Sequence, residues 1–127
     1  MGKYCAAYEI TDPEEARAHL LKNLKVIGDY GDYAYGHPLY TWDDGKRTLG
    51  RCAECGAFVL VQRSEYHNFS GDDSYYTDYF FLENREEADL LNREYDGLEI
   101  ETCSGKRALC ITNGRLRWHQ CESREKK

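Results

Sequence analysis

The chain has 127 residues, a formal charge of −6, 31% charged residues and 13% aromatics; its mean hydropathy is −0.80. This length suits one domain, 1–127, with a modest core under a polar surface, and the aromatic content excludes a disordered acidic chain. The longest apolar run, Phe58-Val59-Leu60-Val61, is far short of the roughly 20 residues of a membrane-spanning helix, and the acidic balance argues against a general nucleic-acid binder.

Tyr4, Ala6, Tyr8 and Ile10 recur at period two and predict a strand. Asp12-Pro13-Glu14-Glu15 then starts a helix, with Asp12 as cap and Pro13 in the first helical position. Ala16, Leu20, Leu24 and Ile27 fall at helical spacing as its buried face, and Gly28 is the stop. Asp29 to Trp42 reads as loop or irregular edge strand, and Asp43-Asp44-Gly45 as a turn between short strands around Tyr40 and Leu49. A strand over Ala57–Gln62 follows Cys52-Ala-Glu-Cys55-Gly56. Ser70 to Asp73 marks a loop, and Tyr75–Leu82 is an aromatic-rich strand.

Asn84 and Glu87 form a capping pattern for a second helix, with Ala88, Leu91 and Tyr95 on one face and Gly97 at its end. Leu98–Cys103 predicts a further strand. Asn113-Gly114 sits between two extended runs and predicts a type I′ hairpin. Its register pairs Thr112 with Arg115, Ile111 with Leu116, Cys110 with Arg117 and Leu109 with Trp118. The expected architecture is one small α+β domain: a mainly antiparallel sheet, two helices and a C-terminal β-hairpin.

Charge is distributed unevenly. Residues 1–64 have a net charge of −1, residues 65–101 of −10 and residues 102–127 of +5. An acidic middle beside a basic end predicts either an internal electrostatic match or an acidic face offered to a basic partner.

The six cysteines are Cys5, Cys52, Cys55, Cys103, Cys110 and Cys121. Met1–Ala6 carries no apolar stretch of signal-peptide type, and Ala6 stands where myristoylation requires Ser or Thr. The expectation is a cytoplasmic chain with thiols reduced or metal-bound, and a disulfide framework is the alternative. Cys52 and Cys55 have the spacing that lets two sulfurs share one tetrahedral ion, and Gly56 permits the tight turn. Zinc is the expected ion. The further ligands come from Cys103, Cys110, Cys121, His119, His67, His37 or Cys5. Cys103 and Cys121 are preferred, because they lie at the two ends of the C-terminal segment that a hairpin brings together. His119 is the substitute, and Cys110 is expected as a half-exposed thiol. Four cysteines suit a structural rather than a catalytic ion.

Residues 50–57, Gly-Arg-Cys-Ala-Glu-Cys-Gly-Ala, resemble the knuckle of zinc-ribbon and treble-clef proteins, in which Cys-x-x-Cys-Gly leads into a strand. The chain has no second Cys-x-x-Cys of the kind a ribbon uses. A thioredoxin-like redox pair has the same spacing, but there the motif opens a helix.

Signatures of a nucleophile elbow, a phosphate-binding glycine loop, His-Glu-x-x-His and a deaminase are absent. Ser64, Glu65 and His67 are close in sequence only, Asp72, Asp73 and Asp78 lack an EF-hand pattern, and His19 beside the first apolar face reads as a packing histidine. Carboxylates and aromatics mix in Asp29–Tyr35 and in Asp72, Asp73, Tyr75, Tyr76, Asp78 and Tyr79. Tyrosine rings pack and still hydrogen-bond, so the second stretch predicts a binding face for a basic protein surface, with half of its tyrosines turned inward.

The expectation is therefore a non-catalytic, zinc-stabilised protein-binding module with no membrane partner. In size and charge the chain is similar to anti-CRISPR inhibitors, which implies a nucleic-acid-binding host defence enzyme as the partner. The alternatives are nucleic-acid binding through Lys106, Arg107, Arg115, Arg117 and Arg124, and a small redox or hydrolytic enzyme.

Overall fold

The structure, a computed structural model, describes residues 4–33, 42–67, 73–95 and 105–121. The expected strands around Tyr40 and over Leu98–Cys103, the loop at 70–72 and the helix stop at Gly97 lie outside these residues.

Six strands form one sheet: β1 (Leu24–Tyr33), β2 (Trp42–Cys52), β3 (Phe58–His67), β4 (Asp73–Leu82), β5 (Arg107–Thr112) and β6 (Arg115–Gln120). Each pairs antiparallel with its neighbour in sequence, so the order is β1-β2-β3-β4-β5-β6. Helix α1 is Pro13–Asn23 and helix α2 is Arg85–Glu94. This is the expected α+β domain with its terminal hairpin.

Side chains alternate across a strand, and here both faces are covered. Val59, Val61, Tyr79, Phe81 and Leu109 pack with Ala16 and Leu20 of α1 and with Cys5, Ala7 and Cys52. Leu60, Phe80, Leu82, Ala108 and Cys110 pack with Ala88 and Leu91 of α2 and with Leu49 and Cys121. A strand buried on both faces needs apolar residues in succession, which explains Phe58–Val61 and Tyr79–Leu82.

Three expected elements take another form. Tyr4–Ile10 is not a strand: Ala6–Glu9 is a 3-10 turn, closed by the Tyr8 N–H donating to the Cys5 carbonyl at 2.9 Å. Its period-two pattern is met by burying Cys5 and Ala7 while Tyr4 stacks on Tyr8 with centroids 4.5 Å apart. Helix α1 ends at Asn23, four residues before the expected Ile27. Leu24–Ile27 joins β1 instead, where Leu24 pairs with Cys52 and Val26 with Gly50, and β-branched Val26 and Ile27 favour that conformation. Asp43-Asp44-Gly45 is no turn but part of β2, absorbed by a register shift against β3 between Trp42 and Gly45.

The α2 start is as expected. The Glu87 N–H donates to Asn84 Oδ1 at 2.9 Å and the Glu83 N–H to Glu87 Oε1 at 2.7 Å, a reciprocal cap. Beneath α2 runs a buried polar row in which Arg47, Gln62 and Asp78 sit side by side on β2, β3 and β4. Arg47 Nε donates to Gln62 Oε1 at 2.7 Å, while its Nη1 donates to the carbonyls of Asn92 and Tyr95 at 3.3 and 2.8 Å. A guanidinium thus satisfies carbonyls that the end of α2 leaves open and joins the helix to the sheet.

The hairpin has the expected register. Trp118 Nε1 donates to the Ile10 and Thr11 carbonyls at 3.2 and 3.1 Å, and Arg107 lies 3.9 Å over the Trp118 ring while donating to the Tyr8 carbonyl at 3.0 Å. Cys110, expected half-exposed, is fully buried, because α2 covers the face that its charged neighbours suggested was open.

Asn113 and Gly114 have φ of 50° and 86°, as a type I′ turn requires. A Cβ on Gly114 would meet nothing within 4 Å, so a substitution there acts through the backbone alone. Gly114→Val should cost about 1–2 kcal/mol and lower the melting temperature by several degrees; an unchanged melting curve would refute this conformation.

Candidate metal centre

Cys52 ends β2, directly opposite Leu24, the first residue of β1. The chain then reverses: the Gly56 N–H donates to the Cys52 carbonyl and the Cys52 N–H to the Ala57 carbonyl, both at 2.8 Å. Gly56 has φ +77°, a conformation that a side chain resists. The Ala53 N–H donates to the Asn23 carbonyl at 2.8 Å, which ties this turn to the last residue of α1. Cys55 projects at the exposed tip, whereas Cys52 is buried in the α1-side core.

The third thiol comes from the N-terminal segment. Cys5, fully buried just before the 3-10 turn, joins Cys52 and Cys55 in a cluster whose sulfurs all lie within 4.8 Å of one another. Thiolates about 2.3 Å from a shared tetrahedral ion stand about 3.8 Å apart, so a contraction of about 1 Å or less closes this triangle on a metal. The three cysteines can therefore hold a metal ion.

Backbone donors surround the sulfurs. Burial pushes the Cys55 thiol up, but the N–H groups of Ala57 and Ala6 and the neighbouring thiols outweigh it and hold its pKa below the ordinary value. Burial raises that of Cys5, against which the Ala7 N–H acts. Amides aimed at sulfur favour the thiolate, the form that binds metal.

His19 stands beside the cluster. Its Nε2 is 3.5 Å from Cys52 Sγ and 3.8 Å from Glu54 Oε1. It projects from α1 one turn before Asn23, whose side-chain amide donates to the His19 carbonyl at 3.0 Å.

The other expected ligands lie elsewhere. Cys121 is buried in the α2-side core, so the sheet separates it from Cys52 and Cys55. His119 pairs with Ala108 of that same core. Cys103 and His37 lie outside the described residues. Of the expected binding face, Asp78 and Tyr79 are interior, at 1% and 4% exposure, because β4 is covered on both sides. Tyr75 is 50% exposed and Tyr76 half-buried. Asp72 lies outside the described residues, and Asp73 opens β4 opposite His67. No spacing motif links Cys5 to the knuckle. The sequence signal was a cysteine ahead of a helix whose apolar face needed the sheet.

Comparison with protein-family models, curated proteins and solved structures finds no match to this chain. No helix among the described residues is long and apolar enough to cross a membrane.

Cys5→Ser should weaken metal binding as strongly as Cys52→Ser or Cys55→Ser, by at least about 10-fold, while Cys121→Ser leaves it unchanged. Metal competes with protons for thiolates, so acidification should release the ion and lower the melting temperature together. Elemental analysis of each purified variant across a pH series checks both, and equal metal content in wild type and Cys5→Ser would refute the cluster.

Proposed function

We propose that the protein is a non-catalytic, zinc-stabilised module that binds a basic protein surface. Zinc fits three thiols in a reducing environment, and the ion's role is to hold the N-terminal segment, the end of α1 and the β2–β3 turn together. Two of the three sulfurs are buried, which suits a structural ion better than one that admits substrate. The Cys-x-x-Cys joins two strands rather than opening a helix, which favours metal over a thioredoxin-like reaction.

The observation that carries the binding proposal is the outer stripe of α2. Glu86, Leu90 and Glu94 fall one turn apart on it, all exposed, with Asp89 beside them. Leu90 is 45% exposed among these carboxylates. Arg93 shares this surface and pairs with Glu94 at 3.4 Å, but carboxylates outnumber it, and an apolar contact in a mostly acidic surround combines attraction at a distance with packing on arrival. The partner proposed is a nucleic-acid-binding enzyme with a Lys- and Arg-lined channel, which the chain would block as anti-CRISPR inhibitors do.

Nucleic-acid binding by the hairpin has less support. Lys106 forms an ion pair with Glu87 and Arg107 is held between Tyr8 and Trp118, so two of the expected phosphate contacts are used internally. Arg115 and Arg117 remain exposed.

The test is affinity purification from the native cell, followed by kinetics with the captured partner. Glu86→Gln with Glu94→Gln should slow association about 10-fold at low salt, and the difference should vanish as salt rises. Leu90→Ala should instead accelerate dissociation. Unchanged rates for both variants would move the interface off α2. Direct, salt-dependent capture of DNA or RNA, lost in Arg115→Ala with Arg117→Ala, would favour the hairpin.

A further inference from the structure

We infer that His19 is the fourth ligand of the cysteine cluster, so that the site is a closed Cys3His centre formed by Cys5, Cys52, Cys55 and His19. This rests on the reading of the cluster as a zinc site and specifies how that site is completed.

A tetrahedral ion with sulfur at about 2.3 Å and imidazole nitrogen at about 2.0–2.1 Å places those two ligand atoms about 3.6 Å apart. The observed separation of His19 Nε2 and Cys52 Sγ is 3.5 Å. The histidine therefore stands one ligand edge from Cys52, while its nitrogen lies more than 4.8 Å from at least one of the other two sulfurs, so closing the site draws the ring inward.

The imidazole is carried by a helix whose end is hydrogen-bonded to the knuckle through Asn23 and Ala53. His19 and the cysteine turn are thus fixed relative to each other by backbone, and the ring is 14% exposed. The side chain of Asn23 adds to this: its Nδ2 donates to the His19 carbonyl at 3.0 Å and lies 3.4 Å from His19 Nδ1, flanking the ring nitrogen that does not face Cys52.

Charge separates His19 from its nearest rival. Zinc with three thiolates and a neutral imidazole carries a net charge of −1. Glu54, whose Oε1 is 3.8 Å from the same Nε2, would make it −2 beside two buried sulfurs, and burying charge is costly. Glu54 is also 62% exposed, and holding it on the ion would cost side-chain entropy.

Cobalt(II) substitution of the full chain, with zinc competition for affinity, tests this. Wild type should show intense tetrahedral ligand-field bands and charge-transfer intensity for three thiolates. His19→Ala should weaken metal binding by at least about 100-fold and lose the tetrahedral bands, or admit water with an altered band pattern. His19→Cys should keep the tetrahedral spectrum and raise the charge-transfer intensity to that of four thiolates, a result that decides the matter even where His19→Ala fails to fold. Glu54→Gln should change neither spectrum nor affinity. The assignment is overturned if His19→Ala retains the wild-type spectrum and affinity, if His19→Cys adds no thiolate, or if Glu54→Gln alone abolishes the tetrahedral bands. Wild-type protein that binds neither cobalt nor zinc would instead overturn the zinc reading beneath it.

Discussion

A sheet covered on both faces is the constraint from which the rest of this structure follows. β3 and β4 send alternate side chains into two separate cores, one closed by α1 and the N-terminal turn, the other by α2. Over Val59–Gln62 and Asp78–Leu82 every residue is buried, so surface chemistry is left largely to the helices, the strand ends and the two edge strands. That is why Asp78, in an acidic and tyrosine-rich run, is interior beside Gln62 rather than part of an exposed face.

The two cores are unequal in how they are secured. On the α2 side, a capped helix is joined to the sheet by Arg47, which reaches the carbonyls at its end, and by Tyr30, whose hydroxyl donates to Asp89 at 2.6 Å. Burial, followed by the Asp89 carboxylate, pushes the Tyr30 hydroxyl up to about 12, which keeps that bond intact well above neutral pH. On the α1 side the cover is thinner. The buried helical residues are Ala16 and Leu20 alone, and the preceding turn contributes Ala7. Arg107, Trp118 and the three-thiol cluster hold that layer down by polar, cation–π and candidate metal contacts where apolar area is short.

This asymmetry gives the candidate metal centre a physical purpose. Cys5, Cys52 and Cys55 belong to segments that meet at one end of the sheet, and a shared ion would close loops that the small α1-side core holds weakly. Such a role needs no open coordination position. It leaves the surface free to evolve for binding, and α2, already anchored by its cap and by Arg47, is a firm platform for an exposed acidic stripe.

Local chemistry alone determined several features. The Asn84–Glu87 cap, the Asn113-Gly114 hairpin with its register and the Cys52–Cys55–Gly56 turn each depend on residues within a few positions of one another, and backbone stereochemistry leaves them few alternatives. The tertiary structure decided the rest. Leu24 and Ile27 have helical spacing from Leu20, yet pairing with β2 draws them into a strand, because ladder hydrogen bonds and the packing of Leu24 over Gly50 outweigh a weak propensity. Hairpin geometry favoured Cys121 over Cys5 as a ligand, and only the sheet, by separating two cores, placed Cys5 with the knuckle and Cys121 away from it. His19 looked like any histidine beside an apolar helix face. It became a candidate ligand because helix α1 stops at Asn23 and is hydrogen-bonded there to Ala53, a long-range contact that no local pattern encodes.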